Sequence, residues 1–96
     1  MSMKVAIQFE AQLRQVAGTG KVDIDVPEGS NLMAALQQFT SSANNGLHGR
    51  LFTQQGMLQA SVLVFVNDQP VPSQSANGHL LNADDEILLL PPISGG

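Results

Sequence analysis

The residues best suited to chemistry in this chain of 96 stand at its end, in the run Pro91-Pro92-Ile93-Ser94-Gly95-Gly96. Proline fixes φ and lacks an amide hydrogen, so Pro91 and Pro92 keep the backbone extended and cannot continue strand pairing. They lift the last four residues off any sheet that precedes them. From Pro91 to Gly96 an extended chain reaches roughly 20 Å. Gly95 and Gly96 have no β-carbon, so the end can thread a narrow channel and set a carboxylate against a reactant. The chemistry that suits this arrangement is activation of the Gly96 carboxylate in the active site of another protein. Residues 91–96 are expected to form a flexible tail on a domain made of residues 1–90.

The other candidates are weaker. His48 and His79 are the only histidines, and neither has further ligands in step with it for a metal. Both read as solvated loop residues. Asp84, Asp85 and Glu86 cluster ahead of a strand. Paired carboxylates can act as acid and base, but such a cluster more often marks a turn with solvated charges. A secondary role in docking a basic partner stays open. The Gly18-Thr19-Gly20 run is too short for a phosphate loop, and no serine sits in a nucleophile-elbow pattern. With no cysteine at all, disulfides, zinc thiolates and thiol nucleophiles are excluded. The chain is expected to be no enzyme in its own right and to bind no cofactor or metal itself.

Composition narrows the partners. Eight acidic residues against four basic ones give a net charge of −4. Nucleic acid and anionic membranes reward clustered Lys and Arg, so neither is an expected partner. The start "MSMKVAIQFE" has no secretory signal pattern, and no apolar run approaches the roughly 20 residues that span a bilayer. The expected location is the cytoplasm. The length suits one domain.

The positioning elements can be read from periodicity. "KVAIQFE" alternates, with Val5, Ile7 and Phe9 on one face. "AQLRQVAG" reads as a short helical turn stopped by Gly18. "KVDIDV" alternates again and ends at Pro27. Leu32, Ala35, Leu36, Phe39 and Ala43 recur at helical spacing, with Ser30 as the expected N-cap and Asn45-Gly46 as the stop. "LHGRLFTQQGML" has room for one short helix. "SVLVFV" reads as a strand, Asn67-Asp68 as a tight turn, "QPV" as a short edge strand, residues 72–85 as a loop, and "EILLL" as the last strand. This order predicts an α+β roll, with one main helix packed on one face of a mixed sheet. The ubiquitin-like β-grasp arrangement fits it, and there the last strand lies centrally beside the first.

Two strands break the alternation. "SVLVFV" and "EILLL" are apolar on both faces, yet one helix covers only one face of a sheet. Val62, Val64, Val66, Ile87 and Leu89 are assigned inward, which leaves Leu63, Phe65, Leu88 and Leu90 facing out. Either those four form an exposed partner site, or residues 47–58 fold over them.

"PPISGG" after "DEILLL" resembles the ending of the MoaD/ThiS-like sulfur carriers, a ubiquitin-like family. "FEAQLRQVAG" and "VLVFVNDQPV" are similar to that family's first strand with its turn and to its later hairpin. The similarity spans essentially the whole chain. "NADDE" and "NDQ" depart from the family's usual Asp-Gly-Asp and Asn-Gly-Glu turns. The resemblance implies that an E1-like enzyme adenylates Gly96 with ATP and magnesium. A sulfur donor then displaces AMP, and the resulting thiocarboxylate gives up its sulfur inside a partner enzyme. Gly95 accompanies Gly96 in that active site. Leu63, Phe65, Leu88 and Leu90, with Pro91, Pro92, Ile93 and Ser94, become the residues that meet partners. The likeness is strongest to the small subunit of molybdopterin synthase, which implies the large synthase subunit as the acceptor. Carriers for cysteine or thiamine synthesis, and a ubiquitin-like modifier joined to lysines, are the alternatives.

Overall fold

The computed structural model of the chain describes residues 1–42 and 46–91. Ala43 and Asn45, assigned above to the end of the main helix, lie outside the described residues. Strand β1 is Ser2–Phe9, α1 Ala11–Ala17, β2 Lys21–Pro27, α2 Leu32–Ser42, α3 Leu47–Leu51, β3 Leu63–Val66, β4 Gln69–Pro70 and β5 Glu86–Leu90. The five strands form one sheet in the order β2-β1-β5-β3-β4. The last strand is therefore central, parallel to β1 and antiparallel to β3.

Register places every inward residue on one face. Val5 pairs with Ile24 and Ile7 with Val22 on one side. Ile7 pairs with Ile87 and Phe9 with Leu89 on the other, while Val64 pairs with Leu89 and Val66 with Ile87. Directly paired residues share a face, so these side chains make a continuous floor. Leu32, Ala35 and Leu36 of α2 and Leu13 of α1 are buried in the same cluster. Phe39 completes the α2 stripe by packing its ring on Phe9, with centroids 5.6 Å apart.

The ends of the helices are set by local chemistry. Gly18 adopts φ 78, a left-handed conformation that needs no Cβ, and its N–H donates to the Arg14 carbonyl. At α2 the cap is Asn31, not Ser30 as the sequence suggested. Asn31 Oδ1 accepts the Ala34 N–H at 2.7 Å, whereas the Ser30 hydroxyl turns back to donate to the Pro27 carbonyl at 2.6 Å. Either polar residue could serve; the turn closed by Ser30 shifts the helix start by one position.

Two further expectations are corrected. Residues 72–85 are not simply a loop, because Ser73–Gly78 form a 3₁₀ helix that buries Ala76 completely. The acidic run 84–86 is not uniformly solvated, because Asp85 is only 7% exposed. Its Oδ1 accepts Asn67 Nδ2–H at 2.8 Å and its Oδ2 accepts the Asn82 N–H at 2.8 Å. Asn67 returns the contact, its Oδ1 accepting the Glu86 N–H at 2.9 Å. Asn67 and Asp68 have φ of 51 and 69, as a type I′ hairpin turn requires. The turn between β3 and β4 is thus clamped to the turn that launches β5.

Removing Asn67 strands the largely buried Asp85 carboxylate, and removing Asp85 frees both turns. Asp85→Ala is expected to cost about 2–3 kcal/mol in equilibrium urea unfolding, and Asn67→Ala about as much. The double variant should lose clearly less than the sum of the two. Strictly additive losses would mean that the two side chains do not act as one clamp.

Candidate partner-binding face and tail exit

The outward face of β3 and β5 is open. Leu63 pairs with Leu90 and Phe65 with Leu88, so the four residues assigned outward from sequence do meet on one face. Leu63 is 42% exposed, and Phe65, Leu88 and Leu90 are half-buried. Residues 47–58 do not shelter them. Leu47, Leu51, Phe52 and Leu58 belong instead to the main core, and α3 packs on α1 and α2. This decides between the two sequence readings in favour of an uncovered patch.

The patch has a direction. Across the sheet one outward row runs Pro70, Phe65, Leu88, Gln8, Lys21. It is apolar over β4, β3 and β5 and turns polar at β1. Beyond the β3 edge it continues into a shallow cleft of about 210 Å³, which Ala60, Leu63, Phe65, Pro70, Val71 and Pro72 help to line. Pro70, Pro72 and Ala60 were not picked out as site residues from the sequence. The Asn67-Asp68 turn offered the signal, since a two-residue hairpin puts Pro70 directly opposite Phe65.

The patch also has an end. Leu90 is the last residue of β5, and half-buried Pro91 comes directly after it. The chain therefore leaves the sheet from its central strand, at the corner where Leu63 and Leu90 pair. Pro92, Ile93, Ser94, Gly95 and Gly96 lie outside the described residues.

The remaining candidates are separate from this face. His48 sits in α3 instead of a loop. Its ring packs against Phe52 at 5.0 Å, and its Nδ1 lies 3.3 Å from the Thr40 hydroxyl. His79 serves through its backbone, the carbonyl accepting the Leu32 N–H at 2.8 Å. Among the described residues no group of three His, Cys, Asp or Glu could hold a metal ion. No helix among them is long and apolar enough to cross a membrane. The arrangement suits binding to another protein.

A five-stranded mixed sheet with helices on one face, an open apolar patch on the other and a central last strand defines a ubiquitin-like β-grasp protein. The chain belongs to the ThiS family, whose model matches residues 7–96, and so to the ubiquitin-like sulfur carriers and modifiers. It is similar to small archaeal modifier protein 1 of Haloferax volcanii, 34% identical over 86 residues that make up 90% of this chain and 93% of that one. The crystal structure of that protein superposes with a TM-score of 0.85 at 30% identity, covering 97% of this chain and 99% of the other. Two further solved structures share the fold. One is a molybdopterin converting factor subunit 1 of Pyrococcus furiosus, described as putative (TM-score 0.70, 22% identity, 95% and 99% covered). The other comes from the BexX/CysO complex of Amycolatopsis orientalis (TM-score 0.76, 22% identity, 96% and 99% covered). The family's members are small carriers and modifiers, not catalysts.

The two faces should respond oppositely to charge. Leu63→Asp and Phe65→Asp are expected to keep the fold and cost at most about 1–2 kcal/mol, while Val64→Asp, between them in sequence but 3% exposed, should cost more than about 4 kcal/mol. Thermal melts monitored by circular dichroism check this. Equal losses at all three positions would contradict the assignment of faces.

Proposed function

We propose that this chain is a sulfur carrier whose Gly96 carboxylate is adenylated by an E1-like enzyme and then converted to a thiocarboxylate. The observation that carries the reading is the exit of the chain from β5 at Leu90, beside the open patch of Leu63, Phe65, Leu88 and Leu90. A partner that grips the patch receives the chain from a fixed origin, and "PPISGG" then spans to its active site.

The division of labour comes from the chemistry. A carboxylate is a poor electrophile, and attack of its oxygen on the α-phosphate of ATP makes it a good one, with loss of pyrophosphate. The sulfur donor displaces AMP, so the sulfur rides on the terminal carbonyl. The activating partner supplies ATP, magnesium and stabilisation of the developing charge. The carrier supplies docking through the patch and Pro91, Pro92, Ile93 and Ser94, and the slim reacting end at Gly95 and Gly96. No cysteine is needed for this role, in keeping with the composition. The acceptor we favour is the large subunit of molybdopterin synthase, with the carrier acting in the cytoplasm as its small subunit. The basis is the likeness of the tail "PPISGG" and of the turn in "FEAQLRQVAG".

A second reading is conjugation through Gly96 to lysines of other proteins. The 34% identity to a protein named as a modifier favours it. Both readings share the activation step and part only at the acceptor.

With an E1-like enzyme, ATP and a sulfur source, the intact mass is expected to rise by the difference between sulfur and oxygen. Deleting Gly96, or extending the chain past it, should abolish the gain and leave the fold intact. Phe65→Asp should weaken charging through KM. No mass gain with any E1-like enzyme would refute the carrier reading, and high-mass lysine adducts in cells would favour the second one.

A further inference from the structure

Charge is unevenly spread along the strands, although Lys4 stands among the acids. Asp23 and Asp25 stand opposite Ala6 and Lys4. Glu28 donates its N–H to the Met1 carbonyl, and Asp84 and Asp85 turn in beside Lys4 and Ala6. Glu86 pairs with Ala6, and Asp68 comes next after Asn67, whose N–H donates to the Glu86 carbonyl. Seven of the eight acidic residues thus gather around the Met1–Ala6 half of β1.

The opposite end of the sheet carries Arg14 and Lys21, half of the chain's four basic residues. They line one polar groove with Gln8, Glu10, Thr19 and Gly20. The Phe9 N–H donates to the Gly20 carbonyl at 2.9 Å, and the Glu10 N–H donates to the Leu89 carbonyl at 3.2 Å. The Gly18–Gly20 turn and the exit of the tail therefore share this end, with β1 between them. Glu10, the one acid lining this groove, accepts a hydrogen bond from Gln8 Nε2 at 3.0 Å, and Lys21 also borders Asp23, Asp84 and Glu86 across the neighbouring groove.

Arg14 passes close over Gly20, where there is no side chain to crowd it. A Cβ on Gly20 would lie 3.0 Å from Arg14 Nε and 3.1 Å from Cζ and Nη2. Gly20 has no left-handed φ, so here glycine provides room for the guanidinium instead of a special turn.

We infer that the Arg14–Gly20–Lys21 corner is a docking contact for a carboxylate-bearing surface of the activating enzyme. The inference rests on the reading that such an enzyme takes the tail. The apolar patch flanks the exit on the β3 side and this basic corner flanks it on the β2 side. A single apolar patch leaves the carrier free to rotate on its partner. Two contacts of different chemistry, one on each side of the tail, fix that rotation and aim the chain. The acidic half at the far end repels the same surface and disfavours the reversed pose.

The test is the KM for the carrier in ATP–pyrophosphate exchange by its E1-like enzyme, measured across salt concentrations. Arg14→Glu and Lys21→Glu should each raise KM about tenfold at low salt with kcat unchanged, and the difference should shrink as salt is added. Gly20→Ala, which only displaces the guanidinium, should raise KM a few-fold. Asp25→Lys at the far end should change it less than twofold. If wild type is activated and both reversals keep its KM and salt slope, the corner is not a contact and this inference fails alone. A wild-type chain that no E1-like enzyme activates overturns it together with the proposed function.

Discussion

The ladder between β1 and β5 pairs Ala6 with Glu86 and Phe9 with Leu89, so the two ends of the domain lie side by side at the centre of one sheet. Everything else is arranged around that parallel pair. Ile7, Phe9, Ile87 and Leu89 are fully buried and set the floor on which α1 and α2 rest, with α3 packed against those two helices. The hairpin of β1 and β2 extends the sheet on one side, and β3 with β4 extends it on the other. Because β5 is central, its outward side chains cannot avoid neighbours, and Leu88 and Leu90 meet Phe65 and Leu63. The open patch is thus a direct result of the strand order.

Much of this was legible in the sequence, and the limits are physical. Strict alternation in "KVAIQFE" and "KVDIDV" gave the inner faces of β1 and β2, since a period of two has only two outcomes. The inward and outward split of the two all-apolar strands also held. Val64 and Leu89 are buried while Leu63 is exposed. Alternation could not supply the position of residues 47–58, whose weak pattern is resolved only when Leu47, Leu51, Phe52 and Leu58 fill the end of the core. The helix cap was missed by one residue because Ser30 and Asn31 are both competent caps, and the competing bond from Ser30 to Pro27 is a tertiary outcome. Asp85 was missed because burial of a carboxylate depends on Asn67, distant in sequence but adjacent in the fold.

The candidate site divides the same way. The meeting of Leu63, Phe65, Leu88 and Leu90 was foreseen because two apolar strands in one sheet must share their outer face. The cleft beyond Phe65 was not, since it depends on how Pro70 and Pro72 carry the chain away from the edge. The basic corner was hidden by composition. A net charge of −4 conceals the fact that Arg14 and Lys21 line one groove at the end of the sheet where β5 finishes. Net charge is a sum and carries no information about arrangement.

The central position of β5 also governs when the molecule can exist. During synthesis the hairpin and α2 emerge early, but the edge of β1 that awaits β5 stays bare until about residue 90 has left the ribosome. Pairing of such distant segments is slow to form, because loop closure must precede its reward. An unpaired inner edge is meanwhile open to wrong partners. Strand β5 supplies Leu88 and Leu90 and leads directly into Pro91, so the open outer face and the point where the chain leaves the sheet are completed in the same step. A half-made or misfolded chain lacks the outer face that Leu63, Phe65, Leu88 and Leu90 share, and with it the fixed point from which the chain continues after Leu90.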